Sequence, residues 1–393
     1  MLAVELAEKR LKRYRFSFDF SYIKANLHEL IRKIPLEDDA EGDTNTLARF
    51  SNVVKLAVKD EYLFSLETQF PTDFLHHIIK IMLKFHNESM IGKRCLELIS
   101  KMLMNPQTLQ NVNQYLTNHE QFIRFLGSQI GKLEEDIEGP IFVFTLLATL
   151  IKHNLEKFTS KAKNQGSVWI NWKLSSIFSY IHRVAKLEIL EFLLAIFKTN
   201  FKCPLIQIEE LDLPSAEFAK ILLNLLFHLQ ALLHKVSSRE SKEAIWAILF
   251  ELLRHAEQGI VVKQSTFQTD VLFQPWFKVA VTYLLSQCVF PSNVPLISLE
   301  FLQKWTKLIL LNKLENRSNR SPLQQSFLFQ PYSSVFTMIR DAMKRDPSQL
   351  SQQDRLKITT VRQGSSTVFD IERKSGCIAR IIKTCETFLA TLQ

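Results

Sequence analysis

Between Pro71 and Met104 the apolar residues fall into two stripes at helical spacing. Phe74, Leu75, Ile78, Ile79, Met82 and Leu83 occupy one side of the first segment, and Asp73, His76, His77, Lys80 and Lys84 the other. Pro71 precedes this stripe, where a backbone N–H is not required. After a break at His86–Ser89, Ile91, Cys95, Leu98, Ile99, Met102 and Leu103 repeat the pattern, and Asn105-Pro106 stops it. Further helices are predicted over Ile141–Phe158, apolar nearly all round and so central, and over the leucine-rich Ser215–Lys235. Ser237-Ser238-Arg239-Glu240 then supplies a Ser-x-x-Glu capping box for a helix running to about His255, with Gly259 in the turn that follows. Pro275–Cys288 and Leu296–Leu314 form another pair, and a last helix covers about Gly376–Leu392. Short connections make neighbouring helices antiparallel.

The polar breaks are Glu37–Thr46, Thr159–Ser167, Glu315–Gln325 and Arg345–Arg355. Beyond the last, Lys357–Arg362 and Thr367–Glu372 are β-branched runs around Gln363-Gly364-Ser365, which predicts a small hairpin at about 356–372 packed on the helices. Three regions follow: a basic N-terminal helical segment (1–35), a helical body (36–314), and a basic C-terminal helical region with the hairpin (315–393). The pairs Phe74–Leu83 with Ile91–Leu103, and Ser215–Lys235 with Ser238–His255, are helical hairpins of the length found in armadillo and HEAT arrays. The chain resembles those proteins at the level of fold, without a strict internal consensus and with variable repeat length. The resemblance implies an all-α, irregular α-solenoid of antiparallel helical hairpins.

Composition narrows the chemistry. Nine Gly in 393 residues leave little material for phosphate-cradling loops or nucleophile elbows. Gly127–Lys132 has the wrong spacing for a Walker loop, and Gly-x-Gly-x-x-Gly and Gly-x-Ser-x-Gly are absent. Adjacent His76 and His77 diverge by about 100° on a helix and read as solvent-side residues. His228 and His234, six apart, miss the spacing of helical zinc ligands, and no Glu-x-x-His pair exists. The acidic stretch Glu37–Asp43 lacks the alternation of a calcium loop and reads as solvated. Glu134–Glu138 favours the N-terminus of the following helix. No cofactor or metal is expected, and the chain reads as a non-enzyme. The 30 Phe, against 5 Trp and 7 Tyr, suit helix–helix packing.

Five scattered cysteines without a CxxC pair read as reduced thiols. Charged residues precede any apolar N-terminal run, and the longest apolar stretch, Ile141–Ile151, falls short of the roughly 20 residues that cross a bilayer. The expectation is a nuclear protein, or a cytoplasmic one, neither secreted nor membrane-spanning.

The net charge of +9 sits at the two ends. Residues 1–35 hold eight Lys/Arg against four Asp/Glu, and residues 301–393 hold fifteen against seven, whereas the middle is slightly acidic. Lys9, Arg10, Lys12, Arg13 and Arg15 form a compact run with the form of an import signal or partner patch. Arg340, Lys344, Arg345, Arg355, Lys357 and Arg362 form a second basic group. Such cations would bind an acidic protein, or nucleic acid in a salt-sensitive, sequence-independent way. Ser321-Pro322, near Arg317 and Arg320, is a candidate phosphate acceptor. The leading expectation is a non-catalytic scaffold or adaptor that binds protein partners along an extended helical surface in a multiprotein, nuclear or chromatin-associated assembly. The alternative is direct nucleic-acid binding through the basic ends.

Overall fold

A computed structural model describes residues 29, 33–34, 44–59, 72–84, 89–104, 112, 116, 119–131, 138–154, 170–177, 181, 187–202, 206–259, 275–287, 294–316, 329–344 and 366–392. Those residues are mostly helical. The chain divides into two compact units, Met1–Trp172 with Lys202–Gln207, and Lys173–Phe201 with Ile208–Gln393.

In the first unit the helices are α1 (Thr44–Lys59), α2 (Thr72–Lys84), α3 (Ser89–Met104), α4 (Glu120–Gly131) and α5 (Glu138–Asn154). Leu47, Phe50 and Val54 form the buried stripe of α1, which starts inside the expected polar break at Glu37–Thr46. In α2 the buried set is Leu75, Ile78, Ile79, Ile81 and Met82. His76 and His77 are half-buried rather than solvent-side, because the apolar arc of α2 is wide enough to reach them. Helix α3 lies against α1, α2 and α5, while α4 meets both α2 and α5. Helix α5 buries Val143, Phe144, Leu146, Leu147, Leu150 and Ile151. Strand β1 (Ile170–Trp172) pairs with β2 (Ile206–Ile208), two short elements the helical periodicity did not announce. Each follows a period of two, with Ile170, Trp172, Ile206 and Ile208 buried and Asn171 and Gln207 exposed. Helix α4 approaches β1 so closely at Gly127 that an added Cβ would stand 3.2 Å from Ile170 Cγ2.

The second unit contains α6 (Leu187–Lys198), α7 (Ser215–Lys235), α8 (Arg239–Gln258), α9 (Pro275–Gln287), α10 (Leu296–Asn316), α11 (Ser333–Lys344) and α12 (Ser366–Ala390). Contacts run between alternate helices. Helix α6 lies on α8, α8 on α10 and α10 on α12, while α7 lies on α9 and α9 on α11. The two series touch where α7 meets α8 and α11 meets α12. Aromatic rings fill several of these junctions. Trp246 meets Phe301 between α8 and α10, at 5.1 Å between centroids. Trp305 of α10 stands 6.0 Å from Phe336 of α11, which in turn stacks at 3.9 Å on Phe388 of α12.

Two helix ends show how local sequence sets the boundaries. The N-cap of α8 is Ser238, one residue later than the Ser237 that the Ser-x-x-Glu spacing selects. Its Oγ accepts the Ser241 N–H at 3.3 Å and donates to Glu240 Oε2 at 2.7 Å. That hydroxyl, followed by the Glu240 backbone N–H, holds the fully exposed Glu240 carboxyl below its ordinary range. At the other end Gly259 takes the left-handed conformation, φ 58°, and donates its N–H to His255 O at 3.0 Å.

The hairpin expected at 356–372 is corrected. Thr367–Glu372 are helical, since α12 begins at Ser366; residues 356–365 lie outside the described residues. Val368 and Ile371 continue at helical spacing the series of Ile378, Ile381, Cys385 and Phe388. A long helix with a partner overrides the strand preference of β-branched residues. Helix α7 also alters the membrane reading: among the described residues it is the helix long and apolar enough to cross a bilayer, and half of its apolar window is buried in the protein. Residues 155–158 and the breaks at 159–167 and 345–355 lie outside the described residues.

Two glycines give opposite expectations. Gly376 lies inside α12, where an added Cβ has only the mobile tip of Arg380 within 4 Å. Gly376→Ala therefore stabilises by about 0.5–1 kcal/mol through helix propensity. Gly259→Ala has room but the wrong φ, and destabilises by about 1 kcal/mol. Urea denaturation midpoints of the two variants, moving in opposite directions from the parent, check this pair.

Candidate functional site

The basic groups read from the sequence have different outcomes. Lys9, Arg10, Lys12, Arg13 and Arg15 lie outside the described residues, as do Arg345, Arg355, Lys357, Arg362 and Ser321-Pro322. Arg340 and Lys344 stand one turn apart on α11, and each has a carboxylate partner. Arg340 Nε meets Asp341 Oδ1 at 2.8 Å, and Lys344 Nζ meets Glu386 Oε1 on α12 at 2.6 Å. Hydrogen bonding to Asp341 raises the Arg340 pKa further above its already high value. Beneath this pairing Cys385 is buried, and loss of water lifts its thiol to about 12. This corner of the basic group thus carries two cations and two anions. Among the described residues no group of three or more His, Cys, Asp or Glu is arranged to hold a metal ion.

A different constellation lies within the second unit. Strand β2 ends at Ile208 and runs straight into the 3-10 turn Glu209–Asp212, whose one buried residue is Glu210. Its Oε2 accepts the Leu174 N–H at 2.8 Å. Its Oε1 accepts both the Ser175 N–H and the Ser175 hydroxyl, each at 2.8 Å. One carboxylate therefore caps the short 3-10 turn Leu174–Ile177 from 35 residues away, satisfying donors that the turn itself leaves open.

The second element of this constellation is the end of α6. Asn200 N–H donates to Phe197 O at 3.0 Å and Phe201 N–H to Ile196 O at 3.2 Å, the paired bonds of a Schellman ending. The position that normally takes Gly holds Asn200 at φ 55°, and Phe201 follows at φ 61°. Both are pinned from the last turns of α8. Arg254 Nη2 donates to Asn200 Oδ1 at 2.6 Å, while Arg254 Nε is paired with Glu251 at 2.6 Å. His255 Nε2 meets Phe197 O at 3.0 Å, and a carbonyl only accepts, so Nε2 carries the hydrogen. The buried Phe201 ring touches Phe197, His255 and Phe218, with centroids 4.7, 5.4 and 5.6 Å away.

His255 is 1% exposed, and its Nδ1 has no hydrogen-bond partner. Its pKa is lowered, first by loss of water. The Phe197 carbonyl opposes that, Arg254 adds to the lowering, and Glu251 opposes it. A search for metal-ligand spacings passes over His255. The legible signal was its place on the buried stripe Ala244, Ile248 and Leu252, which no polar residue occupies without a reason.

No family model, curated protein or solved structure matches the chain.

Glu210→Ala leaves the Leu174 and Ser175 N–H groups without their acceptor and costs about 2–4 kcal/mol of stability. Lys344→Ala removes an ion pair half open to solvent and costs less than about 1 kcal/mol. Chemical denaturation of the two single variants tests both statements; equal losses would contradict the ranking.

Proposed function

We propose that the chain is a non-catalytic scaffold or adaptor, an irregular α-solenoid of helical hairpins that binds protein partners along successive helices of one series. The alternate-helix contacts carry this reading. Stacked hairpins bring every second helix side by side, so one outward face recurs from helix to helix without special backbone. The two most exposed large apolar residues described, Phe227 at 44% and Met338 at 47%, both belong to the α7–α9–α11 series. A partner spanning that series would bury them. A nuclear location, resting on the Lys9–Arg15 run, is part of the same proposal. The carboxylates beside Arg340 and Lys344 weigh against phosphate as the ligand of that corner.

Co-purification of tagged full-length chain under native conditions tests the reading. Phe227→Ser and Met338→Ser, on separate helices, each weaken the same stoichiometric partner by about tenfold or more, a hot-spot loss of about 1.4 kcal/mol or more. Both variants keep the parent's helical circular dichroism. A partner insensitive to both, or binding to DNA that weakens steeply with salt in place of a protein partner, overturns it.

A further inference from the structure

We infer that the last turn of α8 is an acid-released latch on the end of α6: protonation of His255 frees the Asn200–Phe201 turn while the rest of the unit stays folded. Three observations converge on this turn. The first is that it is held rather than relaxed. Asn200 and Phe201 are consecutive left-handed residues without glycine, a conformation that persists only where surroundings impose it. The second is that the restraint comes from neighbouring residues of a single turn, Arg254 on the Asn200 side chain and His255 on the Phe197 carbonyl. That carbonyl also accepts the Asn200 N–H, so the histidine and the turn share one acceptor.

The third is the chemistry of the ring. In the neutral form Nε2–H donates to Phe197 O, and the bare Nδ1 lone pair faces no donor. A proton can enter only at Nδ1. There it creates a buried N–H with no acceptor and a cation beside the Arg254 guanidinium. The charge can reach water if the Phe197–Phe201 cover moves aside, which breaks the Nε2 bond and removes the restraint.

The charged groups around the ring do not compensate. On α8 itself they are Arg254 and Glu251, the latter engaged by Arg254. Helix α6 brings Lys198 and the turn Lys202, both exposed. Helix α7 brings Glu217 and Lys220, both exposed. Helix α10 brings Lys304, paired with Glu257, and Glu300, paired with Arg373. None supplies an acceptor to Nδ1.

The sign follows from the direction of the shift. Burial lowers the His255 pKa below its ordinary value near 6.5, so the latched form binds fewer protons than the released one. The latch is closed above about pH 6.5 and weakens as the pH falls below it.

Hydrogen exchange of the full-length chain, read by mass spectrometry at about pH 5 and about pH 7.5 and corrected for intrinsic rates, tests the latch. The amides of Thr199, Asn200 and Phe201, all hydrogen-bonded to α6 carbonyls, are the reporters. Their protection falls by about tenfold or more at the lower pH, roughly one unit of linked protonation, while peptides from α10 keep theirs. In His255→Gln, whose amide can still donate to Phe197 O, the difference between the two pH values disappears. Should that variant fail to fold, exchange of the ring C2 hydrogen of His255 in the parent chain supplies the second reading: its titration midpoint coincides with that of turn opening. Equal protection at both pH values, loss spread over the whole unit, a pH response surviving in a folded His255→Gln, or midpoints that disagree would each overturn the inference.

Discussion

Burial of α8 between α6 and α10 is the constraint on which the second unit rests. A helix that contacts one neighbour needs one apolar stripe. A helix lying between the two next-but-one members of its series needs apolar residues on opposing sides. Helix α8 meets this demand with Ile245, Trp246 and Leu249 alongside Ala244, Ile248, Leu252 and His255, all buried. Helix α10 does the same with Phe301, Trp305 and Leu308 toward one side and Leu299, Leu302 and Thr306 toward the other, all buried. Burying such side chains is worth about 1.5–3 kcal/mol each, before the entropy of ordering them is subtracted. Flat aromatic rings suit the junctions because each reaches across to the next helix with few rotatable bonds, and the series Trp246–Phe301, Trp305–Phe336 and Phe336–Phe388 shows the result.

Against that apolar background, the buried polar groups mark the positions where the chain does something other than continue a helix. Glu210 closes a 3-10 turn that cannot satisfy its own donors. Arg254 and His255 close a helix end whose sequence lacks the usual glycine. Both sets of bonds lie within the second unit, where they satisfy turns that packing alone would leave open. Broad apolar contacts form its body, and a few directional bonds set where the chain turns.

Much of the helical body was legible from periodicity. A boundary of α2, of α3 and of α9 follows from Pro71, Asn105-Pro106 and Pro275, which act through the backbone, whereas α7 and α10 follow from their long apolar runs. What was not legible depended on tertiary partners. The run Thr367–Glu372 has strand-like composition, yet the continuing apolar series toward Phe388 decided for helix. Strands β1 and β2 are three residues each, too short for alternation to rise above noise, and they pair across 33 intervening residues. Exposed charge is legible in a sequence, as at Arg340 and Lys344, but Glu386 is brought against Lys344 only by the packing of α12 on α11. A single buried titratable residue such as Glu210 or His255 has no motif, only a position on an inward face.

The account's central claim is that partners engage successive helices of the α7–α9–α11 series. Cross-linking mass spectrometry on a native complex of the full-length chain tests it most directly, because Lys220 on α7 and Lys344 on α11 are both exposed. The account predicts that both lysines cross-link to the same partner protein. Cross-links confined to one connecting segment, with neither lysine joined to the partner, would contradict it.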